Sequence, residues 1–159
     1  MKWLIIMVLL NVASADPPDW QYNSGDFEFT SWIVGAIVLN DGDNLAEVGD
    51  LFAAFDDVGT VRGVAVQVNG FGPTEGQILY EMTIGSNADG DIISFQYYDA
   101  SEDAILEIAE TYEFITNGTQ GSLLDPVFFN SVNMAIDDGL LPLNYMLEQN
   151  YPNPFNPRT

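Results

Sequence analysis

From Phe27 the chain reads FEFTSWIVGAIVL, and its apolar residues occupy every second position before filling both. Phe27, Phe29, Ser31, Ile33, Gly35, Ile37 and Leu39 share one face of that period, and Glu28, Thr30, Trp32, Val34, Ala36 and Val38 share the other. A period of two predicts a strand, and the loss of polar residues in its second half predicts a central place in a sheet. NDGDN (40–44) is dense in turn formers and ends it. The same pattern recurs in LFAAF (51–55), VRGVAVQV (61–68), ILYEMTI (78–84) and IISFQYYD (92–99), with DDVGT, NGFGPTEG and SNADGD as the turns. ILEI (105–108), TYEFIT (111–116) and PVFFNSV (126–132) complete the set. About eight short strands with turn signals every 8–12 residues or so predict an all-β fold, a two-sheet antiparallel β-sandwich of immunoglobulin-like or jelly-roll type. NLAEVGDLFAAF (44–55) also carries some helical period, and Asn44 with Glu47 offers a capping pair, but Gly49 and Asp50 interrupt it.

The two ends follow different rules. MKWLIIMVLLNVASAD has Lys2, an apolar run from Trp3 to Leu10, and Ala13-Ser14-Ala15. That is a secretory signal, expected over 1–15 with cleavage after Ala15. The apolar run is shorter than the roughly 20 residues a bilayer requires, so no membrane insertion is expected after cleavage. The sandwich domain is assigned to 16–134. NMAIDDGLLPLNYM opens a region holding Asp137-Asp138-Gly139 and Pro142, and 135–145 reads as a linker.

Composition narrows the chemistry. The 159 residues fit one domain. Hydrophobic residues make up 47% and aromatics 13%, which disordered acidic chains lack. The chain has no cysteine and no histidine, which removes disulfides, Cys/His zinc sites and nucleophiles that depend on histidine. Acids number 24 against 3 basic residues, for a net charge of −21. Such a surface repels phosphate backbones and anionic lipid, so neither nucleic acid nor membrane-surface binding is expected. It attracts cations, which a solubility surface and a calcium site would both explain.

The segment LEQNYPNPFNPRT (147–159) cannot be regular structure, because each proline lacks an N–H and holds the preceding residue extended. It resembles the start of the C-terminal sorting domain of the type IX secretion system. Asn150, Tyr151, Pro152, Asn153, Pro154, Phe155, Asn156 and Pro157 carry the likeness. In that family this run leads into the first strand of a small β-sandwich. The resemblance therefore implies that 146–159 is the truncated start of a sorting domain. It also implies that the complete domain would engage the type IX machinery, and that the protein is secreted or held at the surface of a Gram-negative bacterium. GDLFAAFDDVGTVRGVAVQV and ISFQYYDASEDAILEI are similar to a β-sandwich module of secreted proteins carrying this sorting domain. That likeness brings no ligand with it.

Three sets of residues are candidate sites. Asn87, Asp89 and Asp91 around Gly90, and Asp41 with Asp43 around Gly42, supply the alternating oxygens a calcium loop uses. A hairpin turn explains both equally, since Asp-Gly is a favoured turn pair. The twelfth residue from Asn87 is Tyr98, so the EF-hand glutamate is absent. Trp20, Trp32 and Tyr98 offer aromatic faces for a sugar ring, with core packing as the competing reading. Tyr97 and Tyr98 are adjacent, so only one points inward. Arg62 is expected to pair with Asp56 or Asp57 across a turn, and Asn117-Gly118-Thr119 matches a glycosylation sequon. No pair of carboxylates stands out from the rest as hydrolase chemistry would require. The function expected is a non-catalytic extracellular module for adhesion, display or assembly, with glycans or other surface proteins as partners. The alternative is a carbohydrate-binding accessory module of a secreted hydrolase.

Overall fold

The computed structural model describes residues 17–132. The segments expected as signal (1–15), linker (135–145) and sorting motif (Asn150–Pro157) lie outside the described residues. Eleven strands form a two-sheet sandwich. They are β1 (Phe29–Asn40), β2 (Asp43–Asn44), β3 (Leu51–Phe55), β4 (Val61–Val64), β5 (Val66–Asn69), β6 (Ile78–Ser86), β7 (Ile92–Asp99), β8 (Ala104–Glu107), β9 (Tyr112–Glu113), β10 (Thr119–Gln120) and β11 (Val127–Asn130). The first sheet runs β10-β1-β6-β5, with β2 and β11 also on β1; the second runs β4-β3-β7-β8, with β9 on β7. The ladders are antiparallel except β1–β10 and β1–β11, which are parallel.

The inward faces meet in one core. Ile33, Val38, Tyr80, Met82 and Ile84 of the first sheet pack on Phe52, Ala54, Ile93, Phe95 and Tyr97 of the second. Phe52 contacts the rings of Tyr80, Phe95 and Phe129 at centroid distances of 5.6, 5.5 and 5.1 Å. The buried Ser31 satisfies its hydroxyl with Tyr112 Oη at 2.6 Å and the Gly118 carbonyl at 2.9 Å.

Two features depart from a simple reading of the pattern. The register of β1 against β6 slips between Ile33 and Ala36, so Ala36 and Val38 enter the core after Ile33. The single face expected from Phe27 to Leu39 therefore changes phase at the slip. Gly35 sits inside it, and a Cβ there would lie 2.3 Å from the Ser122 carbonyl oxygen. The expected strand 61–68 is two strands. β4 pairs with β3 in one sheet and β5 with β6 in the other, and the chain changes sheets at Ala65, whose N–H bonds to Phe52 O at 2.8 Å. At the opposite side, Ile108 after β8 bridges Ser131 after β11. Both flanks of the sandwich are thus joined by main chain, which protects edges that would otherwise template aggregation. Residues 44–55 form no helix: β2 and a turn lead straight into β3.

Candidate functional site

The acidic loops are built as turns. Asp41 and Gly42 both have positive φ, 52° and 92°, between the paired residues Asn40 and Asp43. A two-residue connection with two positive φ values is the type I′ hairpin that Asp-Gly favours. In the second loop each candidate residue has an oxygen on a protein donor. Asn87 Oδ1 accepts from Glu28 N–H at 2.9 Å, and Asp89 Oδ1 from Thr116 N–H at 2.5 Å. Asp91 Oδ2 bonds to Ser86 Oγ and lies 3.5 Å from Arg62 Nη2. Among the described residues no group of three or more acids, cysteines or histidines gathers as a metal-ligand set.

Arg62 ties this end together. Its Nε donates to Asp56 Oδ2 at 3.0 Å, confirming one of the two partners expected across the turn, and its guanidinium carbon lies 5.0 Å from the Phe27 ring centroid. Burial pushes the Asp56 carboxyl up, but bonds from Thr60 and the charge of Arg62 outweigh it and hold it below its ordinary value. Backbone and side-chain bonds from Thr116 hold Asp89 low as well.

The three aromatic candidates do not converge. Trp20 packs edge-on against Phe55 of β3 with centroids 5.4 Å apart. Tyr98 is buried on β7 in the second sheet and donates to Asp103 Oδ1 at 2.9 Å. Its neighbour Tyr97 points inward, donates to the buried Asp50 Oδ2 at 2.5 Å, and receives the Tyr80 hydroxyl at 3.2 Å. Asp50 also accepts from Ala100 and Glu47 N–H at 2.9 and 2.8 Å. Burial first, then the Asp50 bond, push the Tyr97 hydroxyl far above the ordinary phenol range.

Only Trp32 reaches an open groove, on the outer face of the first sheet. Trp32 on β1 stands opposite Thr83 on β6, and Glu81, two residues along β6, stands opposite Val66 on β5. Because Tyr80, Met82 and Ile84 face the core, Glu81 and Thr83 face outward. Trp32 and Glu81 are thus diagonal neighbours across one ladder, about 7–8 Å apart. The end wall comes from the segment before β1. Phe27 lies on Gly85, where a Cβ would come within 2.4 Å of its ring, and Tyr22 stacks on Phe27 with centroids 5.9 Å apart and planes 11° apart. Tyr22, Trp32, Val34, Val66, Glu81 and Thr83 line the resulting groove of about 370 Å³. That lies within the roughly 300–1,000 Å³ of ligand sites, and its few polar groups on an apolar lining suit one.

Two of those polar groups lack partners. The Tyr22 hydroxyl is buried and makes no hydrogen bond among the described residues, and burial raises its pKa. Glu81 is half-buried, yet it has no hydrogen-bond or ion-pair partner among the described residues. The other acids that are half-buried or buried, Asp50, Asp56, Asp91, Asp99 and Glu110, each have one. Neither Tyr22 nor Glu81 was among the residues expected from sequence. The available signal was the alternation in ILYEMTI, which puts Glu81 with Leu79 and Thr83 on the face opposite Tyr80 and Met82.

No protein-family model, no curated protein and no solved structure matches this chain. The class it can be assigned is therefore the one its fold defines, a two-sheet β-sandwich.

Proposed function

We propose that this chain is a non-catalytic binding module of an exported protein, serving adhesion, display or assembly at the cell surface. The observation that carries the reading is the contrast in polar partners. The acids of the Asn87–Asp91 loop bond to the scaffold, and the groove over Trp32 leaves the Glu81 carboxylate and the Tyr22 hydroxyl without partners among the described residues. Asp56 and Asp91, which line a separate hollow of about 320 Å³, converge on Arg62 rather than on empty space. The sequence supplies the rest: a signal segment at 1–15 and the type IX motif at Asn150–Pro157. This reading does not require calcium in the Asn87–Asp91 or Asp41–Asp43 loop, where turn geometry and protein donors account for the acids.

A second reading, a carbohydrate-binding accessory module of a hydrolase, is favoured by the half-buried Trp32 ring on the groove floor. Glycan and peptide arrays probed with the chain and with Trp32→Ala test both. Saturable binding that is lost in Trp32→Ala, with the ligand recovered chemically intact, is expected. A ligand recovered cleaved would contradict a non-catalytic module. Export is tested separately by expressing the sequence fused to a complete type IX sorting domain in a host bearing that machinery. Arrival at the surface, abolished when Pro152–Pro157 are replaced, is expected, and arrival without that motif would remove type IX sorting from the reading.

A further inference from the structure

We infer that the groove over Trp32 receives the guanidinium of an arginine side chain presented by a partner polypeptide. This rests on the binding-module reading and names its ligand chemistry. Glu81 is the deciding residue. It is a half-buried carboxylate with no partner among the described residues, set among Trp32, Val34 and Val66. Any ligand that covers the groove removes water from that carboxylate. A neutral ligand would leave the charge desolvated and uncompensated, which is costly, whereas a cation would pair with it.

The remaining walls select the kind of cation. Trp32 and Tyr22 line the groove, and a planar guanidinium stacks on aromatic rings while forking onto a carboxylate. The same fold already holds a guanidinium against an aromatic ring, with Arg62 5.0 Å from the Phe27 centroid and paired to Asp56. Arg62 is the single cation among the described residues, and its two acids occupy it. The occupant must therefore come from outside residues 17–132. A net charge of −21 would steer a basic partner toward this surface and repel an acidic one.

The test uses the tripeptide acetyl-Gly-Arg-Gly-amide and its citrulline counterpart, which keeps the shape and removes the charge. Binding to the full chain is followed by the NMR signal of the Trp32 indole N–H, assigned with Trp32→Phe. The arginine peptide should shift that signal saturably, and the citrulline peptide should bind at least tenfold more weakly. Glu81→Gln should weaken arginine binding at least tenfold, and Glu81→Asp should recover part of it. Glu102→Gln, a charge removal on the exposed β7–β8 turn, should leave it within twofold. Equal loss in Glu81→Gln and Glu102→Gln would overturn the proposal in favour of a diffuse charge effect. Saccharides that shift the Trp32 signal independently of salt, with arginine inert, would overturn it and leave the binding-module reading standing. A Trp32 signal unmoved by the arginine peptide, and array ligands whose binding survives Trp32→Ala, would remove the groove from both.

Discussion

The Asn87–Asp91 hairpin and the groove over Trp32 are both acidic sites beside aromatic rings, and they handle charge in opposite ways. In the hairpin, Thr116, Ser86 and Arg62 reach Asp89 and Asp91, and Gly90 N–H closes on the Phe114 carbonyl at 2.8 Å. In the groove, Glu81 faces outward from a nine-residue strand, and its carboxylate has no hydrogen-bond or ion-pair partner among the described residues. The first arrangement stabilises the native state because each carboxylate exchanges water for a fixed donor. The second gains nothing for the fold, since a half-desolvated charge is at best neutral there. Rich acidic patterning marked the hairpin as the more conspicuous site, yet the sparse one is where the surface remains available.

Substitutions should separate the two kinds of acid by stability. The largest effect is expected at Asp50, the most deeply buried acid. Asp50→Ala leaves the Tyr97 hydroxyl and two main-chain N–H groups without acceptors and should cost about 3 kcal/mol, read by urea unfolding. Arg62→Ala should cost about 2 kcal/mol by the same measurement, because Asp56 loses its charged partner at 11% side-chain exposure while Asp91, at 37%, is eased by water. A value near zero at either position would mean that these partners do not hold the scaffold.

Tyr97→Phe should cost about 1 kcal/mol at neutral pH and should also change the alkaline limb. The folded pKa of Tyr97 is raised, so its contribution is complete below the ordinary phenol value of about 10 and is lost as pH rises beyond it. Wild type should therefore lose stability more steeply above that point than Tyr97→Phe does. Asp89 has the opposite sign. Its folded pKa is lowered, so its contribution is present above the ordinary carboxylate value of about 4 and is lost as pH falls through it. The difference in melting temperature between wild type and Asp89→Asn should accordingly be visible at pH 7 and close in acid. Chelator should leave the melting temperature unchanged, because the hairpin oxygens are already engaged; a fall on chelation would restore calcium to that loop.

The sheet architecture was legible because alternation in FEFTSWI, ILYEMTI and IISFQYY tracks burial along most of each strand. What was not legible depends on partners distant in sequence. Nothing in VRGVAVQV announces the change of sheet at Ala65, which follows from pairing with Phe52 on one side and β6 on the other. The parallel seating of Val127–Asn130 along Ala36–Leu39 is likewise a tertiary choice, as is Thr119–Gln120, which has no strand pattern at all. TYEFIT was expected as a strand over 111–116 but keeps ladder pairing only at Tyr112–Glu113, the rest being drawn into the Asp89 contact and the turn at Asn117. The arginine–aspartate pair was foreseeable from a lone cation among acids. Glu81 was not, since its importance lies in the partner it lacks.

The most direct measurement is the thermal unfolding of Glu81→Gln at pH 7 and low salt. If Glu81 is a carboxylate kept open for a ligand, neutralising it removes an uncompensated half-buried charge from a chain of net charge −21. The melting temperature should then stay the same or rise by a degree or two, in contrast to the losses expected at Asp50 and Arg62. A clear fall, comparable to that of Arg62→Ala, would show that Glu81 belongs to the scaffold and would contradict the account.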